Sequence, residues 1–122
     1  MARILLADDD KDYGRAFSVS VASLGHDVTV ATNGADAIEK VEQAVDPFDI
    51  LFVDVMMPAG GAATVLHSQP VVASKSKVVI ITGRAELYDS PLFQTGFSRA
   101  DARVRKSISL GELEQLISDL LR

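Results

Sequence analysis

The sequence contains no cysteine, no apolar run long enough to cross a bilayer, and no excess of basic residues. The lack of cysteine excludes a disulfide framework and a thiolate zinc site. A membrane-spanning helix needs about 20 consecutive apolar residues, and the sequence contains no such stretch. The net charge of −5 argues against nonspecific DNA binding by this chain. We therefore expect a globular domain that contacts neither membrane nor nucleic acid.

The length and composition indicate one ordinary domain. The chain has 122 residues, of which 48% are hydrophobic and 24% are charged, enough for a single core over residues 1–122. The first apolar run begins within a few residues of Met1, so we expect no signal peptide. Together with the missing cysteines, this favours a cytoplasmic location.

Short β-branched runs alternate with amphipathic stretches along the chain. The predicted strands are Arg3–Ala7, Val28–Ala31, Asp49–Val53, Lys77–Thr82 and Ala102–Arg105. Five helices are predicted. The first is Asp12–Leu24, and the second has Ala37, Ile38, Val41 and Val45 on its apolar face and stops at Asp46-Pro47. The third is about Ala62–Ser68 and ends at Gln69-Pro70, the fourth lies within Glu86–Gly96 and is interrupted by Pro91, and the fifth is Leu110–Leu121. Alternation of this kind predicts an α/β fold with a parallel sheet covered on both faces.

Polar residues follow the predicted strands at their carboxyl ends. Asp8, Asp9 and Asp10 follow the first strand, and Asp54 follows the third. Thr82 and Lys106 stand at the ends of the last two. Ligands of such sheets bind outside the carboxyl ends of the strands. Clustered carboxylates raise one another's pKa unless a cation joins them, and Mg²⁺ binds one or two carboxylates together with phosphate oxygens. The pattern predicts a metal-and-phosphate site.

Each of these residues also has a simpler interpretation. The three acids can begin a solvated loop and cap a helix, Asp54 can belong to a turn, and Thr82 and Lys106 can be structural or solvated. Their joint occurrence at four strand ends favours the site. We expect His26 and His67 to face solvent and to carry no phosphate.

Four motifs together resemble the receiver domain of bacterial two-component response regulators. They are ILLADDD at 4–10, VDVMMP at 53–58, IITG at 80–83, and Lys106. The resemblance covers nearly the whole chain. It implies a flavodoxin-like (βα)5 fold with strand order 2-1-3-4-5, and phosphorylation by a sensor histidine kinase or histidine phosphotransfer protein.

The resemblance also implies a role for each site residue. It implies that Asp54 is the phosphoacceptor, and that Mg²⁺ is bound by Asp9 directly, by Asp8 largely through water, by Asp54 and by the backbone carbonyl of Met56. It implies that Thr82 donates a hydrogen bond to a phosphoryl oxygen and that Lys106 is the counter-ion of the phosphoryl group. Such a domain catalyses its own phosphorylation and dephosphorylation, and we expect no turnover of an external substrate.

Two departures from the family pattern concern the last strand. Ser107 follows Lys106 where receivers usually have proline after a cis bond. Because a cis bond to a non-proline residue costs ~3–4 kcal/mol, we predict a trans bond and a displaced Lys106. Arg103 stands where receivers have Tyr or Phe, a ring that moves inward on activation. Since a guanidinium does not enter an apolar pocket cheaply, we expect Arg103, the switch position, to stay outside and the usual switch to be altered or absent.

Two further features allow more than one interpretation. The loop Ala59–Ala62 places its glycines one step early, so we expect the following helix to start late or to fray. The edge of the sheet at the last strand is basic, with Arg99, Arg103 and Arg105. This suits either an acidic partner or a solvated edge.

Two other functions compete with phosphoryl acceptance. A degenerate receiver would bind proteins without being phosphorylated. A phosphatase of the haloacid dehalogenase type would need a second aspartate two residues after the nucleophile, where this chain has Met56. The sequence is compatible with a stand-alone regulator, a phosphorelay intermediate or part of a longer protein, and it specifies neither the kinase, the downstream partner nor the oligomeric state.

Overall fold

The computed structural model describes residues 1–84, 86, 89, 91 and 99–122. Its elements are β1 (Arg3–Ala7), α1 (Lys11–Ala22), β2 (Asp27–Ala31), α2 (Gly34–Gln43), β3 (Ile50–Asp54), α3 (Ala62–Leu66), α4 (Gln69–Ser74), β4 (Lys77–Thr82), β5 (Ala102–Arg105) and α5 (Leu110–Leu120). The helix predicted within Glu86–Gly96 lies almost wholly outside the described residues. Within the described part of the chain, no helix has the length and apolar character needed to cross a membrane.

The five strands form one parallel sheet in the order β2-β1-β3-β4-β5, which confirms the predicted flavodoxin-like topology. The register places Ala7 of β1 opposite Val53 of β3, and Asp54 opposite Ile81 of β4. Because all strands run the same way, their carboxyl ends meet at one edge of the sheet. The residues that follow β1, β3, β4 and β5 are therefore neighbours in space.

Helices cover both faces of the sheet, as near-continuous apolar strands require. Phe17 of α1 and Ile117 of α5 pack against one face. Ala37 of α2, Val65 of α3 and Val71 of α4 pack against the other. Burial on both sides fixes β1, β3 and β4 in the middle of the molecule, so the groups at their ends have well-defined positions.

Three sequence predictions about helices were wrong. A helix begins at Gln69, where Pro70 was interpreted only as the end of the previous one; proline is compatible with the first helical turn because its missing N–H has no partner there anyway. Val45 is 95% exposed, since α2 already ends at Gln43. Leu121 lies outside the buried face of α5 and caps its end.

The loop before α3 packs tightly against the start of α2. The Gly34 N–H donates a 3.2 Å hydrogen bond to the carbonyl of Pro58. A Cβ on Gly34 would collide with the backbone of Gly60, and one on Gly61 with the carbonyl of Val55. Helix α3 therefore begins at Ala62 without delay, but it spans five residues and its first turn has no side-chain cap.

Candidate functional site

Local hydrogen bonds fix the acidic residues after β1. The backbone N–H of Asp8 donates to the carbonyl of Ala31 at 3.0 Å, which continues the β1–β2 pairing. Asp8 Oδ1 accepts from the Asp10 N–H at 2.9 Å, and the Asp10 side chain accepts from the Tyr13 N–H at 3.1 Å. Asp10 is thus the N-cap of α1. The simpler capping interpretation is correct for Asp10, whereas Asp8 turns inward.

Asp8, Asp9 and Asp54 form one carboxylate cluster. Each offers an oxygen that lies within 4.8 Å of the other two. Asp8 is fully buried, Asp9 is exposed, and the Asp54 side chain is 14% exposed. Three carboxylates this close repel one another, and Mg²⁺ binds through one or two carboxylates, so the cluster suits a divalent cation.

Lys106 reaches the same cluster. Its Nζ lies 2.7 Å from Asp8 Oδ2 and 3.6 Å from Asp54 Oδ2. The short contact to Asp8 is an ion pair between a fully buried carboxylate and an ammonium whose side chain is 18% exposed. The Lys106–Ser107 bond is trans, which confirms that prediction. The expected displacement of Lys106 was wrong, because the long side chain still reaches both acids.

The acids and the lysine shift one another's pKa. Burial and, after it, the Asp8 carboxylate raise the pKa of Asp54 to about 6, although Lys106 opposes them. For Lys106, burial lowers the pKa, but the carboxylates of Asp8, Asp54 and Asp10 outweigh it and the net shift is upward. The site therefore holds the Lys106 ammonium, which stays protonated, beside Asp54, which titrates near pH 6.

Thr82 and Gly83 complete the wall formed by β4. Thr82 is 2% exposed, and its Oγ1 accepts a 3.0 Å hydrogen bond from the Arg84 N–H. The hydroxyl proton is therefore available for another acceptor. The Lys106 stem passes beside Gly83, since a Cβ there would lie 3.4 Å from the Cδ of Lys106, an ordinary van der Waals contact.

Met56 lies in the loop after β3, with an exposed side chain. It lines an open cavity of about 460 Å³ together with Asp9, Met57 and Gly61. This places the loop backbone beside the carboxylate cluster. A metal-binding role for the Met56 carbonyl stays a prediction.

The remaining sequence predictions concern residues away from the cluster. Arg103 is exposed, as expected, and His67 faces solvent as expected. His26 differs, because it is half-buried and its Nδ1 accepts from the Ala2 N–H at 3.0 Å. Arg105 pairs with Asp89 at 3.2 Å on the surface.

One site neighbour was not identified from the sequence. Tyr13 belongs to the helix predicted over Asp12–Leu24 and was not among the predicted site residues, but its ring centroid lies 4.7 Å from Lys106 Nζ. Burial raises the pKa of Tyr13 to about 12, with further contributions from the charges of Asp8 and Asp54. The available signal was its place in the first turn of a helix that begins at the acidic cluster.

The model for the response regulator receiver domain family matches residues 4–118. The chain belongs to this family. The receiver protein CpdR of Brucella abortus is 33% identical over 91 residues, which are 75% of this chain and 74% of CpdR. The transcriptional regulator TrcR of Mycobacterium tuberculosis is 31% identical over 98% of this receiver, which spans 45% of TrcR. Several curated relatives are thus more than twice as long as the region they share with it.

Solved structures agree with the fold. A CheY-like receiver domain from Methanospirillum hungatei superimposes with a TM-score of 0.84 at 22% identity, covering 98% of this chain and 94% of that one. TrrA from Thermotoga maritima, solved with Mg²⁺ and BeF, gives a TM-score of 0.82 at 25% identity, with coverages of 98% and 99%. This receiver is therefore a two-component signalling domain, a class that works with histidine kinases or phosphotransfer proteins.

Proposed function

We propose that this receiver accepts a phosphoryl group on Asp54 from the phosphohistidine of a sensor kinase or phosphotransfer protein. The observation that carries the proposal is the position of Asp54, half-buried beside two further carboxylates and 3.6 Å from the Lys106 ammonium. Phosphoryl transfer depends mostly on positioning and on neutralisation of charge. Asp54 supplies the nucleophile, and the Lys106 ammonium beside it supplies part of that neutralisation.

The residues present fit a magnesium ion. The carboxylates of Asp8, Asp9 and Asp54, whose oxygens lie within 4.8 Å of one another, and the carbonyl of Met56 would hold it. When bound, Mg²⁺ neutralises charge on the phosphoryl oxygens and relieves repulsion among the carboxylates. The complex of TrrA with Mg²⁺ and BeF supports the same assignment by similarity.

The transfer is a nucleophilic displacement at phosphorus. An Asp54 carboxylate oxygen forms a bond to phosphorus, and the bond from phosphorus to the donor imidazole nitrogen breaks with its electron pair on that nitrogen, giving an acyl phosphate. Lys106 supplies positive charge to the phosphoryl oxygens. The Thr82 oxygen accepts a hydrogen bond from the Arg84 N–H, and its hydroxyl proton is donated to a phosphoryl oxygen. Water then attacks the phosphorus, the bond from phosphorus to the Asp54 oxygen breaks with its electron pair on that oxygen, and inorganic phosphate leaves as the carboxylate is restored.

A second function is favoured by the exposure of Arg103. An exposed arginine at the switch position suits a receiver that binds partners without the family's threonine–aromatic coupling and without phosphorylation of Asp54. The same experiment separates the two functions.

The test is intact mass after incubation with Mg²⁺ and acetyl phosphate. We expect wild type to gain one phosphoryl group, Asp54→Asn to gain none, and Asp46→Asn, an exposed acid in the loop after α2, to behave as wild type. Chelation of Mg²⁺ should abolish the gain. If wild type gains nothing with acetyl phosphate and nothing with phosphorylated kinase, the phosphorylation-independent function replaces the proposed one.

A further inference from the structure

The geometry points to Tyr13 as a positioning residue for Lys106: its ring face, together with Asp8, holds the ammonium in the site. Tyr13 touches none of the reacting atoms and is not among the proposed metal ligands. The contact stands on its own, whereas its effect on phosphoryl transfer rests on the proposed function.

The distance fits a cation–π contact. Lys106 Nζ lies 4.7 Å from the Tyr13 ring centroid, inside the limit of about 6 Å for an energetically useful interaction. The same ammonium lies 2.7 Å from Asp8, and the Lys106 side chain is 18% exposed. Because little water competes for the charge, the attraction of the ring is stronger here than at an open surface.

The Tyr13 ring is anchored by other aromatic side chains. It packs against Phe17 with centroids 6.0 Å apart, and Phe17 meets Phe52 edge-on at 5.1 Å. Phe52 is fully buried in β3, two residues before Asp54. The strand that carries the proposed phosphoacceptor therefore also fixes, through two rings, the group that faces the lysine.

Lys106 needs such support because of its place in the chain. It follows the last residue of β5 and lies in a turn, where its N–H donates to the Thr82 carbonyl at 2.8 Å. Its side chain is long, and holding it in one place is entropically costly. An incoming phosphoryl group on Asp54 requires the ammonium to shift away from Asp8. A ring face attracts the cation over a range of positions, so it permits this shift and opposes escape into water.

The ring, not the hydroxyl, makes the contact. The hydroxyl stays protonated at neutral pH, since its pKa is about 12 because of burial and the nearby carboxylates. Tyr13 thus adds no negative charge to the cluster. Tyr13→Phe should keep the function, whereas Tyr13→Leu keeps apolar bulk and loses the ring.

The first test detects the contact without phosphorylation. Protons beside the ammonium of Lys106 should show an upfield ring-current shift by NMR in wild type and in Tyr13→Phe. The shift should disappear in Tyr13→Leu, and the pKa of Lys106 should fall. An unchanged Lys106 spectrum in Tyr13→Leu overturns the inference, whatever the protein does with phosphodonors.

The second test measures the rate of Asp54 phosphorylation by acetyl phosphate. Tyr13→Leu should slow it about 3- to 10-fold and Tyr13→Phe less than about twofold. In a Lys106→Gln background, Tyr13→Leu should add little. An equal loss in that background would mean a general structural role and would overturn the inference. If wild type itself is not phosphorylated, the proposed function fails and the NMR experiment alone decides about Tyr13.

A graded ring series covers the case in which Tyr13→Leu does not fold. Phenylalanines with one, two and three ring fluorines at position 13 keep the shape but weaken the negative face of the ring. The rate should fall with each added fluorine. A flat series would exclude the cation–π contact.

Discussion

The central strands and the β5 edge of this receiver differ in how the fold constrains them. The last four residues of β1, the first four of β3 and the last five of β4 are buried, whereas β5 alternates between half-buried and exposed. The carboxylates stand on the first group and the arginines on the second. Core packing therefore fixes the positions of the proposed catalytic carboxylates, whereas the residues of β5 are under less constraint from packing.

Lys106 connects these two regions. It comes from the β5 side, but its ammonium contacts Asp8 and Asp54. Substitution at the edge, such as Arg103 or Ser107, leaves the acids in place because packing on both faces of the sheet positions them. The proposed phosphoacceptor and the β5 edge thus lie in regions that the fold constrains differently, and the independence of the two can be tested.

Removal of the connecting lysine should have the largest effect. Lys106→Met leaves the fully buried Asp8 without its ion pair, and breaking a buried pair is strongly destabilising. We expect a loss of about 2–4 kcal/mol in the free energy of unfolding, measured by urea denaturation without Mg²⁺.

Two control variants isolate the cause. Arg105→Gln breaks the exposed pair with Asp89 and should cost less than about 1 kcal/mol. Asp8→Asn combined with Lys106→Met should recover part of the loss, because no unpaired charge is left buried. A double variant no more stable than Lys106→Met alone would contradict the electrostatic explanation.

Neutralising Asp54 should raise the free energy of unfolding, whereas loss of Lys106 lowers it. Its pKa is raised to about 6 by burial and by Asp8, so the folded state disfavours the carboxylate. Below about pH 4 the folded and unfolded chains both hold the proton. As the pH rises to about 6 the unfolded chain releases it first, so stability falls across this window and stays lower above it.

Asp54→Asn should therefore be more stable than wild type at pH 7.5 by about 1–2 kcal/mol, after allowance for solvent screening. The difference should vanish near pH 3.5. Carbon-13 NMR of the Asp54 carboxyl should give a midpoint near pH 6 without Mg²⁺ and a lower one with it. A midpoint near the ordinary aspartate value without Mg²⁺ would refute the burial argument.

The sequence was sufficient to predict the sheet and its ends. Strands Lys77–Thr82 and Ala102–Arg105 have the predicted bounds; the first ends where an apolar run gives way to Thr82-Gly83, and the second where the alternation of apolar and charged residues stops. The carboxylates were predictable for the same reason, since each follows a buried run. A parallel sheet then brings such residues together without further information.

What the sequence did not reveal depends on contacts between elements. The helix at Gln69 was missed because proline both ends helices and begins them, and only packing decides which. The position of Lys106 was predicted wrongly because the reach of a flexible side chain is not a property of its peptide bond. Tyr13 was missed because helical spacing shows a face, not the neighbour which that face meets.

Magnesium should stabilise the receiver through Asp9. Because Asp9 is exposed, Asp9→Asn should change stability by less than about 0.5 kcal/mol without metal. In wild type, Mg²⁺ at ten times its dissociation constant should add about 1.4 kcal/mol, visible as a rise in melting temperature. Asp9→Asn should lose that rise, and Asp12→Asn, an exposed acid nearby on α1, should keep it. An equal rise in Asp9→Asn would exclude Asp9 as a ligand.

Substitution at Arg103 should have the smallest effect on the site. The side chain is exposed on β5. Arg103→Gln should change the rate of phosphorylation by less than about twofold and stability by less than about 0.5 kcal/mol. Arg103→Tyr restores the usual family residue and should also leave the rate unchanged. It should alter the changes in NMR chemical shift that phosphorylation causes in β4 and β5. A large change in rate for Arg103→Gln would show that the edge and the core of this receiver are coupled before any phosphoryl group arrives.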